Sequence, residues 1–159
     1  MKKICLGVYL LILGMLCGAI LILGTIVAPI VFKAQVILPE LSISSFEVGK
    51  IMAHVFARFN RILEFVGFIV LGYEVISFIW GKRFWVHLVL GLIIGGLSLL
   101  FVFYYTPYIL HAQELGEAAT KSADFISMHS QSKWLFKQLF ILICILFFMR
   151  LWSYKRQGF

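Results

Sequence analysis

An all-α fold is what this sequence predicts: a four-helix transmembrane bundle with an extracytoplasmic amphipathic helix before the second span. Three observations carry the prediction. Hydrophobic residues make up 62% of the 159-residue chain and charged residues only 13%, against roughly 25% charged in soluble domains. The mean hydropathy is +1.02. Apolar runs long enough to cross a bilayer, about 20 residues each, recur four times. A soluble fold would need four core helices with almost no polar face, and the composition argues against it. The length suits a single integral membrane domain, residues 1–159. No low-complexity tract and no sequence repeat is visible.

The first span runs over about 4–32 and closes on "VAPIVF". Lys2 and Lys3 resemble the start of a signal peptide, but the apolar run far exceeds the usual 7–15 or so residues. A cut after Ala28 would fall before Pro29, and Leu16 stands before Cys17 where a lipoprotein needs a small residue. The segment therefore reads as a retained span. Pro29 lacks an amide donor and disfavours helical geometry at Ala28, so it is expected to kink or end the helix near the interface.

Residues 45–61 follow, within "FEVGKIMAHVFARFNRIL". Val48, Ile51, Met52, Val55 and Phe59 recur at helical spacing, while Lys50, His54, Arg58 and Arg61 fall opposite. This is the pattern of an interfacial amphipathic helix lying on the outer surface and turning into the second span. The second span covers about 62–80, the third about 84–109 and the fourth about 134–152. Gly81-Lys82-Arg83 makes the middle pair a tight antiparallel hairpin.

Fourteen basic residues set the orientation. Lys2, Lys3, Lys82, Arg83, Arg150, Lys155 and Arg156 lie in short segments free of acid. Lys33, Lys50, Arg58, Arg61, Lys121, Lys133 and Lys137 are spread over longer loops among Glu40, Glu47, Glu114, Glu117 and Asp124. The denser side is expected to be cytoplasmic, with both termini there and the chain in a bacterial inner (plasma) membrane. Basic residues beside spans are ordinary anchors to anionic lipid, so the net charge of +7 calls for no nucleic acid. The lipid bilayer is the first partner. A second copy of the chain or another membrane protein is the next.

Glycines mark close helix contacts. Gly14 and Gly18, and Gly91 with Gly95 and Gly96, predict packing of spans one and three, or a homodimer. Cys5, Cys17 and Cys144 fall inside spans, with no C-x-x-C, and read as inert buried thiols. Two polar groups are buried in spans: Glu74 and His87. Their depths across the hairpin match within about a turn, so a Glu74–His87 pair is expected, structural or proton-relaying.

Metal and cofactor chemistry have few candidates. No two histidines lie mid-membrane on facing spans, which argues against haem. His54, His111 and His129 share the outer depth, and with Glu114, Glu117 or Asp124 they are candidate ligands for a divalent metal. No nucleotide loop, nucleophile elbow or zinc-protease helix is present, no motif supports a cofactor, and no catalytic residue is assigned.

The segments together resemble an uncharacterised four-span membrane family, a domain of unknown function similar to eukaryotic transmembrane protein 205. "GTIVAPIVF", "VGKIMAHVFARFNRI", "YYTPYI" and "FISMHSQSKWLF" carry the likeness, in order, over almost the whole chain. The resemblance implies four membrane helices and no particular chemistry. It places Ala28, Pro29, Phe32, Gly49, Phe56, Pro107, His129 and Ser132 at the outer interface, as one binding surface or as points where helices bend and pack. Two function classes follow. One is a non-enzymatic accessory, scaffold or small-solute transport component. The other is a membrane metal-handling or redox protein using the outer histidines.

Overall fold

A computed structural model describes residues 2–40, 42–80 and 84–156, with side chains for 3–40, 42–80 and 84–153. Four helices are long and apolar enough to cross a membrane: α1 (Lys3–Phe32), α2 (Ser45–Trp80), α3 (Trp85–Glu114) and α4, which runs from Ala123 to Arg156. One-turn helices Ala34–Ile37 and Glu117–Thr120 sit in the two longer connections. The Gly81-Lys82-Arg83 connection lies outside the described residues. Round the bundle the order is α1–α2–α3–α4, closed by contact of α4 with α1. Its outer surface shows Ile4, Phe65, Val86 and Phe148, which suits a lipid surround and not water.

Both proline-bearing helices solve the same backbone problem. Pro29 has no N–H, and in a regular helix its ring would strike the carbonyl of the preceding turn. A π-helical turn, Leu23–Val27, widens the helix just before it, with the Ala28 N–H reaching back to the Leu23 carbonyl. The helix then stops at Phe32, within a turn of the proline, as expected. Pro107 follows a matching π turn, Phe101–Tyr105, in which the Thr106 N–H bonds the Phe101 carbonyl. Here the span expected to cover about 84–109 is longer. The π turn relieves the clash, and α3 runs on to Glu114.

The amphipathic segment is helical but does not lie apart from span two. It and the span form one unbroken helix of 36 residues, about 54 Å at about 1.5 Å per residue. That exceeds the roughly 30 Å hydrocarbon core, so its first third stands beyond the bilayer. Lys50, His54, Arg58 and Arg61 are exposed on that part, and Ile62, Phe65 and Phe68 are exposed below it. Ser44 starts the helix with a capping box. Its hydroxyl oxygen accepts the Glu47 N–H at 3.2 Å, and the Glu47 carboxylate accepts the Ser44 N–H at 2.7 Å. Gly49 lies inside this helix, near the Gln113 side chain. Likewise α4 begins at Ala123, not near Trp134. Ser122 caps it by accepting the Phe125 N–H at 3.2 Å, so His129 sits inside the helix and not at its start.

The fold repeats although the sequence does not. Buried Tyr9, Leu13, Leu16 and Ile20 of α1 correspond to buried His87, Gly91, Ile94 and Ser98 of α3, each 78 residues on. Both π turns, Pro29 with Pro107, and both capping serines keep that same spacing of 78. On the long helices, Phe59, Leu63, Val70 and Glu74 of α2 match Leu135, Leu139, Leu146 and Arg150 of α4, 76 residues on. The two halves run parallel, so they are related by an axis along the membrane normal. The α1 and α3 helices stand diagonally across that axis, and so do α2 and α4.

The glycines consequently do not pack span one on span three. A Cβ at Gly91 would collide with Glu74, and one at Gly95 with Leu71, both on α2. Gly14 faces Phe147 of α4, while Gly18 has nothing within 4 Å. Towards the loop end, Phe56, Phe59, Phe101 and Phe136 form an aromatic cluster, with Phe56 edge-on to Phe136 at 5.2 Å between centroids.

Candidate functional site: a charge pair buried between the two halves

Glu74 lies six residues before the end of α2, about 9 Å inside the span at helical rise. It is 1% exposed. A carboxylate there must find donors or lose its charge. It finds them across the bundle. Arg150 of α4 engages both oxygens in a fork, Nε–H to Oε1 at 3.0 Å and Nη2–H to Oε2. Tyr9 of α1 donates its hydroxyl to Oε1 at 2.8 Å. The remaining Arg150 Nη1 donates to Ser77 Oγ at 3.1 Å. The guanidinium also lies over the Tyr73 ring, 5.3 Å from its centroid, and Tyr73 stacks on Tyr9 at 3.8 Å. Planar, bidentate recognition is what arginine supplies and lysine does not.

His87 belongs to the same layer without being Glu74's partner. Glu74 presses against Gly91, one turn along α3 from His87. The His87 Nε2 instead faces Ser153 Oγ at 3.3 Å, and its Nδ1 is buried with no hydrogen bond. The expected Glu74–His87 pair is therefore replaced by Glu74–Arg150–Tyr9. Shared depth in the bundle does not decide which way a side chain turns. By its position beside the end of span four, Arg150 is expected to be an interfacial anchor. The structure places it in the bundle, its side chain 11% exposed. The signals for it were readable. Arg150 interrupts the apolar run "ILFFMRLW", and Tyr9 shares a helical face with Leu13, Leu16 and Ile20.

The outer histidines do not converge. His54 is exposed. His111 is exposed and pairs only loosely with Glu114, at 3.8 Å. His129 is half-buried and stacks on Phe125, 5.8 Å between centroids. Glu117 pairs with Lys121 at 2.9 Å, and Asp124 is exposed in the first turn of α4. Among the described residues no group of three or more His, Cys, Asp or Glu could hold a metal ion. The motif residues serve mixed ends. Ala28, half-buried, and the exposed Pro29 and Phe32 lie in the last turns of α1, Pro107 follows a π turn, and Phe56 joins the aromatic cluster. Ser132 is buried and bonds the His129 carbonyl at 2.8 Å. One contact was not foreseen: Cys17 and Cys144 approach to 3.6 Å between sulfurs, joining α1 to α4.

These features define a class: a multi-pass, all-helical membrane protein whose spans meet at an internal, charge-neutral ion pair. The chain matches the family described as Domain of unknown function (DUF4149) over residues 11–118, and it belongs to that family. The match takes in Glu74, Pro29 and Pro107 and stops before α4, so the likeness in "FISMHSQSKWLF" lies beyond it. No curated protein and no solved structure matches the chain.

Proposed function

We propose that the protein is a non-enzymatic accessory or scaffold component of a bacterial inner membrane, with the Glu74–Arg150 pair as the lock of its bundle. The observation that carries this reading is that the intramembrane acid is fully spent inside the fold. Both Glu74 oxygens are engaged, and the carboxylate is closed off from the surface. The groove lined by Leu97, Trp134 and Gln138 and the one lined by Gly7, Gly14 and Phe147 include neither Glu74 nor Arg150. A transport site needs donors and acceptors that a solute or proton can reach and leave, and this pair offers none. The metal-handling alternative is less well supported, because its candidate ligands point to separate places.

The proposed orientation keeps both termini cytoplasmic. It rests on Lys2, Lys3, Lys82, Arg83, Lys155 and Arg156, with Arg150 now removed from the count. Cysteine-accessibility labelling should find Ser44→Cys and Ser122→Cys outside and Gly81→Cys inside, and the reverse would invert the assignment. The likeness to transmembrane protein 205 supports the four-span plan and adds no activity. Partners are lipid and other membrane proteins, a second copy of the chain among them.

Purified protein reconstituted into vesicles tests the reading. Under imposed proton and ion gradients it should add no conductance to the lipid background. It should also carry no stoichiometric metal. A flux that Glu74→Gln abolishes would make the pair a transport element and overturn the proposal. One metal ion per chain, lost with His129→Ala, would restore the metal reading.

A further inference from the structure

We infer that α1 pairs with α1 of a second copy, through the face turned away from its own bundle. A mismatch of height points there. On α2 the exposed surface changes from apolar to basic between Ile62 and Arg61, and on α4 between Ile141 and Lys137. Tyr9 of α1 meets Glu74 of α2. Thirteen residues outward along each of these antiparallel helices bring Ile22 level with Arg61. Beyond that level α2 exposes Lys50, His54 and Arg58, and α3 exposes His111 and Glu114. The surface of α1 stays apolar: Ile26, Ile30 and Phe32 are each more than half exposed. Ile30 stands about 12 Å past the boundary at helical rise. Lipid does not reach it. Both α2 and α4 touch α1, and packed helices lie about 8–10 Å apart. A bilayer surface meeting Arg61 and Lys137 yet covering Ile30 would climb at more than about 45° between neighbours, beyond the usual range of helix tilt. It would also leave the exposed Leu100 and Phe103 of α3 in water. The outer end of α1 therefore needs a protein partner.

A second copy supplies that partner by symmetry. Copies in one membrane share their orientation, so a two-fold axis along the membrane normal brings parallel α1 helices together at equal heights. Each apolar end then covers the other. No charged residue stands between Ile4 and Phe32, so the face meets itself without repulsion. The basic outer face of α2 could not do so. Within the membrane the same face continues as Gly7, Leu11, Gly14, Gly18 and Leu21, at coiled-coil spacing and opposite buried Tyr9, Leu13, Leu16 and Ile20. The fold itself makes no use of these glycines. A Cβ at Gly7 or Gly18 would meet nothing within 4 Å, and one at Gly14 would only touch Phe147 at 3.8 Å. Small residues there let two backbones approach where lipid supplies no hydrophobic drive. The large apolar side chains exposed from Ile4 to Ile30 offer roughly 900 Å² per copy, about what each partner gives to a stable interface.

This rests on the reading that the partner is a membrane protein; a flux through the bundle would overturn the non-conducting role and leave the interface standing. Energy transfer between donor- and acceptor-labelled copies in phosphatidylcholine vesicles tests it, with the label on Ser42→Cys in a background lacking Cys5, Cys17 and Cys144. Transfer should persist as the chain is diluted in lipid and vanish on adding excess unlabelled chain. Ile26→Gln with Ile30→Gln should weaken association at least about ten-fold, and so should Gly7→Leu. Ile141→Ala with Ile145→Ala, on the lipid face of α4, should leave it unchanged. Oxidation of Ile26→Cys in the same background should join two copies, and oxidation of Ile145→Cys should not, a readout that needs no polar or bulky substitution to be tolerated. Transfer lost on dilution, or surviving Ile26→Gln with Ile30→Gln in folded protein, would overturn the inference. So would covalent dimers from Ile145→Cys alone, or, in native membranes, cross-links from Ile26→Cys to a different protein and none between copies.

Discussion

Replacing Arg150 with methionine removes the fork that neutralises Glu74 and keeps most of the side-chain volume. The carboxylate would remain fully buried with the Tyr9 hydroxyl as its one donor. Breaking a buried pair by removing one partner costs about 3–5 kcal/mol. For a chain of this size about 1 kcal/mol moves the midpoint of thermal unfolding by roughly 2–4 °C, so a fall of roughly 10 °C is expected. Glu74→Gln should cost less. The guanidinium keeps Ser77 and the Tyr73 ring, and it is 11% exposed on a long flexible stem that can reach towards the interface. The double variant should be more stable than Arg150→Met alone, because it leaves no unpaired charge. The assay is thermal unfolding of the purified protein in one detergent, followed by circular dichroism. Arg150→Met within about 0.5 kcal/mol of the parent would refute the reasoning, as would two single costs that simply add.

Three further outcomes follow from the packing. Gly91→Ala should lower the unfolding midpoint and the folded yield, since its Cβ would land on the Glu74 side chain, whereas Gly18→Ala should be neutral within about 0.5 kcal/mol; equal effects would contradict the packing order α1–α2–α3–α4. Ser44→Ala should cost about 1 kcal/mol by removing the capping box, with hydrogen exchange accelerating at the start of α2 and not near Trp80. Mild oxidation with copper phenanthroline should join Cys17 to Cys144 within one chain, since the sulfurs need close by only about 1.5 Å to bond; a peptide map showing Cys5 linked instead would place α1 wrongly against α4.

The sequence was most legible where a single physical demand is written in many residues. Twenty apolar residues in a row state a membrane helix four times over, and the alternation of Lys50, His54, Arg58 and Arg61 with apolar positions states an amphipathic face. Helix boundaries were less legible. The 36-residue continuity of α2 depends on the absence of proline between Ser45 and Trp80, and the expectation of an interfacial turn outweighed it. Pro29 and Pro107 differ in a way composition does not show: both sit behind a π turn, yet the helix stops at Phe32 after the first and runs on to Glu114 after the second. Buried polar contacts were hardest. Glu74 was recognised as costly, but its partner lies 76 residues away on a helix that does not neighbour its own in sequence. The repeat was hidden for the same reason. Equivalent positions hold Tyr9 and His87, Leu13 and Gly91, Ile20 and Ser98, Glu74 and Arg150. Each pair shares a place in the bundle and little chemistry.

The repeat also gives the ion pair a physical meaning. Two like halves packed about an axis would bring identical residues together near it, and two acids or two arginines there would repel in a medium of low dielectric. Here one half supplies the acid and the other the base, so the diagonal between α2 and α4 closes with no net charge. An aromatic or imidazole from α1 and α3, Tyr9 and His87, stands on either side in the same layer.

Solid-state nuclear magnetic resonance on the protein in lipid bilayers measures that pair without disturbing it. With glutamate side-chain carboxyl carbons labelled with carbon-13 and arginine guanidinium nitrogens with nitrogen-15, a dipolar contact at about 4 Å is expected, consistent with bidentate geometry. It should vanish in Glu74→Gln and persist in Glu64→Gln. Absence of any such contact in the parent protein, or its persistence after Glu74→Gln, would contradict a bundle locked by Glu74 and Arg150.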